Sequence, residues 1–519
     1  MRTNHYRVLL LVIVSLPLTS LLVPSSISYG QQTGQWSGPM LVGPGWFPDV
    51  ATDLTGRVHI VWSSGVGNYD TVMYMTSPDG QQWSDVLDIA ARLVTAGDYA
   101  TRPAIFVDST NIFHLTYRTS TVYYSFAPAE SVSAATLSSP LVMNSSQIPY
   151  YSHVARDSKG ILHLIYTENV PYPNCSICFH VFYRKSSDNG LNWTPAVDIS
   201  YELAAAAKPQ LLIDWQDNLH LVLETGRRAE AGTDDPAKAA YLVSYDSGTT
   251  WTTPITFELP PLTPTPTPRF VPTPEIDEEP ELQQRNVAIG LDGQGNLIVV
   301  WWGLPQDQLF FQLSNDQGRS WSSPQLIPKI WGAWFVFSSH LDDYAMATDS
   351  AGNIHLVAVG RAGPTEKRLR VMHLVWDGAN WSEPEFIATY AGDAPEWPRI
   401  AISNGNQLHV VWYVRNKEAI WDSENGDYWV WYAQGVSSAP ALTPVVWPTL
   451  TPTATLASPT ASPPTPTPQA TVTADFVGEI GTGVYSESAI LVVVAKAVIP
   501  AAIMVSVAAT AVLLWRRWH

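Results

Sequence analysis

Cysteine is nearly missing from this chain, with two residues in 519. That excludes a disulfide-stapled scaffold and any four-cysteine zinc site. Charge is thin as well: Asp, Glu, Lys and Arg make up 14% of the residues, against about a quarter in an ordinary soluble domain. Bases are the scarcer sign, 28 Lys and Arg against 46 Asp and Glu, for a formal net charge of −18. Neutralising phosphates takes clustered Lys and Arg, so nucleic acid is excluded as a partner. Aromatic residues are plentiful, with 22 Trp, 22 Tyr and 14 Phe. This profile suits strands and sugar-facing or extracellular surfaces better than a helical cytosolic domain. With 46% hydrophobic residues the chain can bury a large core.

Long apolar runs occur at the two ends. Arg2, His5 and Arg7 precede the run Val8 to Val23, and Ser25, Ser26 and Ser28 offer a cleavage site, so residues 1–30 are expected to be a secretory signal. Residues 488–515 are almost wholly apolar apart from Lys496, and Ala497 to Leu514 can cross a bilayer as a helix. The basic tail 516–519 then stays cytoplasmic and the body extracytoplasmic, which predicts a single-pass cell-membrane protein. Residues 438–487 are rich in Pro and Thr and predict an extended stalk. A shorter tract of the same kind, 260–280, interrupts the body.

Between these ends the sequence repeats itself. An Asp closing a short apolar run is followed six positions later by His at Asp53/His59, Asp108/His114, Asp157/His163, Asp214/His220 and Asp349/His355. Asp292/Ile298 and Ser403/His409 keep the register, which makes seven units. Three residues after each Asp stands Gly, Asn or Asp, the mark of a tight turn, and Asn406 takes that place in the seventh unit. Strands such as HIVW and HLIY follow, then a strand with an aromatic three residues before Ser, then W-[ST]-x-P as the opening of a fourth strand. Four short strands per unit predict one propeller blade each. The seventh unit lacks its Trp strand and Trp36-Ser37-Gly38-Pro39 supplies an orphan one. The reading is an all-β, single seven-bladed β-propeller over residues 31–437, closed by its N-terminal strand.

The turn between third and fourth strands reads Ser186, Asp188, Gly190, Trp193 in one unit, Ser244, Asp246, Gly248, Trp251 in the next, and Ser314, Asp316, Gly318, Trp321 in a third. Shorter versions carry Ser77, Asp79, Gly80, Trp83 and Asp377, Gly378, Trp381. This resembles the Asp-box, or bacterial neuraminidase (BNR) repeat, of the sialidase-like β-propeller superfamily, here in a membrane-anchored surface protein of bacterial type. The resemblance implies that these residues organise peripheral turns. It also implies, for a working sialidase, three arginines on a carboxylate, a Tyr nucleophile with Glu, an Asp acid/base, an Arg-Ile-Pro and six blades.

The nearest match to that motif is Thr101-Arg102-Pro103, without the Ile. The position of Arg102 is taken in the other units by Phe47, Tyr151, Lys208, Asn286, Asp343 and Trp397, and Arg285 and Arg399 also open inner strands. Arg102, Lys208, Arg285, Trp397 and Arg399 are therefore the candidate ligand-binding residues, with no catalytic residue assigned. The repeated histidines sit at one strand position in different blades and are expected to be structural; no metal or cofactor is expected. Cys175 and Cys178 form a lone C-x-x-C, read as a local disulfide or two inert thiols. The function expected is a non-enzymatic surface module that binds a glycan or a protein; the alternative is an exo-sialidase or other glycoside hydrolase or lyase, which two facing carboxylates in the channel would favour.

Overall fold

A computed structural model describes residues 36–445, apart from 67–68, 94–100, 145–148, 173–174, 227–236, 259–282, 305, 333–343 and 417–427. The signal segment, the 260–280 tract, residues 446–487 of the stalk, the span 488–515 and the tail 516–519 lie outside the described residues. Among the described residues no helix is long and apolar enough to cross a membrane.

The strands form seven antiparallel sheets of four strands each, and in six of them the order in space is the order in sequence. The inner strands are Trp46–Thr52, Ala104–Val107, Pro149–Arg156, Ala206–Ile213, Gln283–Leu291, Tyr344–Thr348 and Ala394–Ser403, for blades 1 to 7 in that order. Each touches the inner strands of both neighbouring blades, so together they ring a central channel. The second strand of a blade is covered on both faces, which is why these segments read as continuous apolar runs. Every residue of Leu219–Thr225 and of Ile354–Gly360 is buried.

The seventh sheet is completed from the other end of the chain. Met40–Pro44 pairs antiparallel with Tyr428–Val436, Trp36 bridges to Gly435, and the Ser37 amide donates to the Gln434 carbonyl at 2.7 Å. The strand that would otherwise leave an open edge is thus paired.

The repeated Asp is a turn-former. Asp157 Oδ1 accepts the amides of Lys159 and Ile161 at 3.0 and 2.8 Å, and Gly160 takes φ +85°. In the seventh blade Ser403 offers no carboxylate, and the left-handed residues are Asn404 and Gly405 rather than Asn406. These turns touch one another around the lower end of the channel: Leu54 against Asn111, Ser158 against Asp217, Gly293 against Gly352, Ser350 against Gly405. The segment after the last strand lies on this ring, with the Leu442 amide on Asn404 and the Val445 amide on Leu54.

The recurring His is buried between that Asp and a Tyr of the third strand. His59 meets Tyr74 at 2.9 Å, His114 meets Tyr124 at 2.8 Å, His163 and His220 meet Tyr183 and Tyr241 at 2.7 Å, and His409 meets Tyr432 at 2.8 Å. Each Nδ1 faces the phenol; where Asp is present, Nε2 faces its carboxylate. The same Tyr then receives the S-x-D-x-G-x-x-W turn of the next blade. Trp193 stands edge-on to Tyr124 with ring centres 5.0 Å apart, Trp251 to Tyr183 at 5.4 Å, Trp321 to Tyr241 at 5.0 Å and Trp83 to Tyr432 at 4.8 Å. Within the turn the Ser186 hydroxyl donates to Asp188 and accepts the Gly190 amide, while Asp188 accepts the Asn192 amide. Trp193 donates back to the Gly190 carbonyl at 3.1 Å, which keeps it in the turn. The fourth strand accordingly starts later than the W-[ST]-x-P pattern suggests, at Val197. Cys178 is disulfide-bonded and buried, and the chain holds one other cysteine, Cys175.

Candidate functional site

The channel mouth is shaped by a backbone irregularity repeated around the ring. Register slips occur between Trp46 and Asp49, Pro149 and Ser152, Ala207 and Gln210, Arg285 and Ala288, and Glu396 and Arg399. Phe47, Arg102, Lys208, Asn286 and Trp397 all take positive φ, between 41° and 55°. Bulky residues hold that conformation only where the surroundings impose it, and bulges of this kind re-aim side chains at the rim of a sheet. Pro follows four of the five, at Pro48, Pro103, Pro209 and Pro398, and Pro has no ladder amide to lose.

Two tiers of side chains result. In the upper tier the Arg102 guanidinium lies 4.3 Å from the Phe47 ring centre, 4.6 Å from Tyr150, 5.2 Å from Tyr151 and 6.0 Å from Trp397. Trp397 and Tyr151 are near-parallel at 12°, with centres 6.1 Å apart, and Arg399 sits 4.2 Å over the Trp397 ring. Two residues further down the strands, where strand periodicity brings side chains back to the same face, stand Asp49, His153, Gln210 and Arg399. Apart from Phe47, which is buried in the core beneath, both tiers line one cavity of about 410 Å³, a volume that suits a small ligand.

The lower tier is electrostatically unusual. Burial raises the Asp49 carboxyl to about 6, against the opposing pull of Arg399 and of the Ile105 and Val50 amides it accepts at 2.8 and 2.9 Å. Burial, reinforced by Arg399, lowers His153 to about 4, so its ring is neutral near pH 7. Gln210 donates to the Tyr344 carbonyl two blades on, at 3.4 Å. Asp49 is the one carboxylate lining this cavity among the described residues.

Of the five residues expected from sequence, the structure brings Arg102, Trp397 and Arg399 together at the mouth. Lys208 lines the same cavity, but its ammonium is buried at the seam of blades 4 and 5, 2.6 Å from Asn286 Oδ1 and 3.7 Å from Glu224. Arg285 does not line it, and its Nε donates to Gln283 at 2.9 Å. The described residues therefore place two arginines, not three, at the cavity. Asp49, His153, Tyr150 and Gln210 were not picked out from sequence. For Asp49, His153 and Gln210 the signal was available in the two-residue offset from the aligned rim position; Tyr150, next to the rim residue Tyr151, carried none.

A Tyr–Glu couple does exist in blade 7, where the Tyr413 hydroxyl donates to Glu396 and Glu396 pairs with Arg415. Both residues are buried and neither lines the cavity. Burial and the adjacent Glu396 charge push the Tyr413 phenol well above its ordinary range, the opposite of what activates a nucleophile.

No protein-family model matches the sequence, and no curated protein matches it significantly. Among solved structures, the chain aligns with a polysaccharide lyase, an ulvan lyase bound to -[GlcA(1-4)Rha3S]-, at 10% identity and a TM-score of 0.48, over 78% of this chain and 97% of that one. A protein of unknown function from Dyadobacter fermentans aligns at 11% identity and 0.44, over 78% and 100%. The intramolecular trans-sialidase from Ruminococcus gnavus aligns at 11% and 0.37, over 78% and 95%. The chain's own strand order establishes its architecture, an all-β propeller of seven four-stranded blades.

Proposed function

We propose that the propeller binds an acidic carbohydrate at the channel mouth and does not cleave it. The observation that carries this reading is the pairing of Arg102 and Arg399 with Tyr150, Tyr151 and Trp397 above a cavity with one carboxylate among the described residues. Aromatic faces stack on pyranose rings, and guanidinium groups take carboxylates in bidentate fashion. Hydrolysis of a glycoside ordinarily employs two carboxyl groups flanking the bond, and among the described residues the cavity offers Asp49 alone. In this reading the Pro/Thr-rich tract and the C-terminal apolar segment hold the propeller at a cell surface.

The full chain, titrated calorimetrically with glucuronate- and sialate-bearing oligosaccharides, is expected to bind one class without product forming. Arg102→Ala should weaken that binding about tenfold or more. A second reading is favoured by one feature: a carboxyl near 6 beside an arginine is suited to proton transfer near neutral pH. Turnover of any of these glycans that disappears in Asp49→Asn would establish an enzyme and overturn the binding-only reading.

A further inference from the structure

At six of the seven seams the third strand offers Tyr or Phe to the next blade: Tyr74, Tyr124, Tyr183, Tyr241, Phe311 and Tyr432. The seam between blades 6 and 7, where the N-terminus closes the ring, departs from this. His373 occupies the place of the Tyr, and Trp36 stands edge-on to it with ring centres 5.0 Å apart. A continuous hydrogen-bonded chain results. Asp349 Oδ2 faces His355 Nε2 at 3.0 Å, His355 Nδ1 faces His373 Nε2 at 2.8 Å, and His373 Nδ1 faces Glu385 Oε2 at 3.0 Å. Trp36 Nε1 donates to that same Glu385 oxygen at 3.1 Å.

The number of protons in this chain follows from the geometry. Both ends are carboxylates, which accept; both outer imidazole nitrogens therefore carry protons, and the inner pair needs one more between them. Three protons sit on two rings that hold two when neutral. Asp349 also accepts the Ala351 and Asn353 amides and the Ser437 hydroxyl, which keep it ionised. Among the described residues the other charged groups at this seam are Glu383, which pairs with Lys329 at 2.6 Å, and Lys329 itself; Ser382, Ser437 and Trp36 are neutral.

We propose that the closing seam is a proton-operated latch, in which one proton shared by Asp349, His355, His373 and Glu385 fixes the residue that holds Trp36. When the proton leaves, one of the three contacts becomes acceptor against acceptor. Glu385, whose side chain is 43% exposed, is then free to turn to water and release the indole. Burial, reinforced by His373, holds the His355 ring below its ordinary value against the pull of Asp349, so the shared proton and its grip are present at acid pH and lost as pH rises toward neutral.

Hydrogen exchange of Met40–Pro44 in the full chain, referenced to the outer strand Gln325–Trp331 and corrected for intrinsic rates, reads the latch directly. Relative exchange of Met40–Pro44 should rise about tenfold between about pH 4.5 and about pH 7.5. His373→Tyr restores the group found at the other seams and should flatten the profile; Glu385→Gln should give the fast rate at every pH. A flat profile in the wild-type chain overturns the proposal whatever the variants do. So does a pH rise that persists in either variant, and if one variant fails to fold, the other and the wild type still decide.

Discussion

Single residues in this protein act through what they exclude. Gly248 takes φ +74°, and a Cβ there would fall inside the Tyr183 hydroxyl; Gly190 stands in the same relation to Tyr124. Gly248→Ala should therefore cost about 2–4 kcal/mol through left-handed strain and overpacking. An unchanged denaturation midpoint would contradict the close approach of turn and Tyr. Asp49 gives the residue-scale pH effect. Its carboxyl moves from 3.8 to about 6 on folding, so between those values the folded state binds more protons than the unfolded one and stability falls as pH rises. The loss is up to about 3 kcal/mol, complete above pH 6. Unfolding curves taken from pH 4 to 7 should show this decline in the wild type and not in Asp49→Asn; equal slopes would refute the buried carboxyl.

At the scale of elements, what joins blade to blade is a unit of five residues drawn from two blades: Asp, His and Tyr from one, Gly and Trp from the next. Blade 5 shows which part is dispensable, since Ile298 and Phe311 replace His and Tyr and still receive Trp381, with ring centres 5.9 Å apart. Apolar burial carries the seam, and the buried hydrogen bonds fix its geometry. The N-terminal strand is held by the same kind of unit. Deleting residues 35–42 removes Trp36 and the pairing of Met40 and Leu41 with Tyr432 and Trp431. A loss of about 3–5 kcal/mol or more is expected from the aromatic alone. Thermal unfolding of the truncated chain checks this, and an unaltered midpoint would mean that the ring does not depend on closure.

For the molecule as a whole, the blades form one ring, so a cut in one connection should not separate it. The connection between blades 4 and 5 contains the 260–280 tract, and the two blades are joined by Lys208 and Glu224 of blade 4 with Asn286 of blade 5. A protease site placed at 265–270 should yield two fragments that co-elute under native conditions, because neither four nor three blades can satisfy its exposed faces alone. Fragments that elute separately and folded would show two domains in place of one ring.

The sequence by itself determined the architecture, for a physical reason: each blade is a local unit whose strands, turns and Trp positions recur at fixed offsets, so period and register can be read without contacts. The Asp and Gly turns, the seven units and the orphan Trp36 strand are of this kind, although Asn406 and the start of the fourth strand were misplaced by a few residues where side chains bond back into the turn. The site was only half legible. Arg102, Trp397 and Arg399 could be aligned, but residues 47, 102, 150 and 397 meet only because the ring brings blades 1, 2, 3 and 7 around one mouth. Whether Lys208 serves a ligand or a seam, and how His373 differs from the Tyr it replaces, depended on neighbours from other blades. Desolvation and partner geometry fix those roles, and both are properties of the closed ring rather than of any repeat.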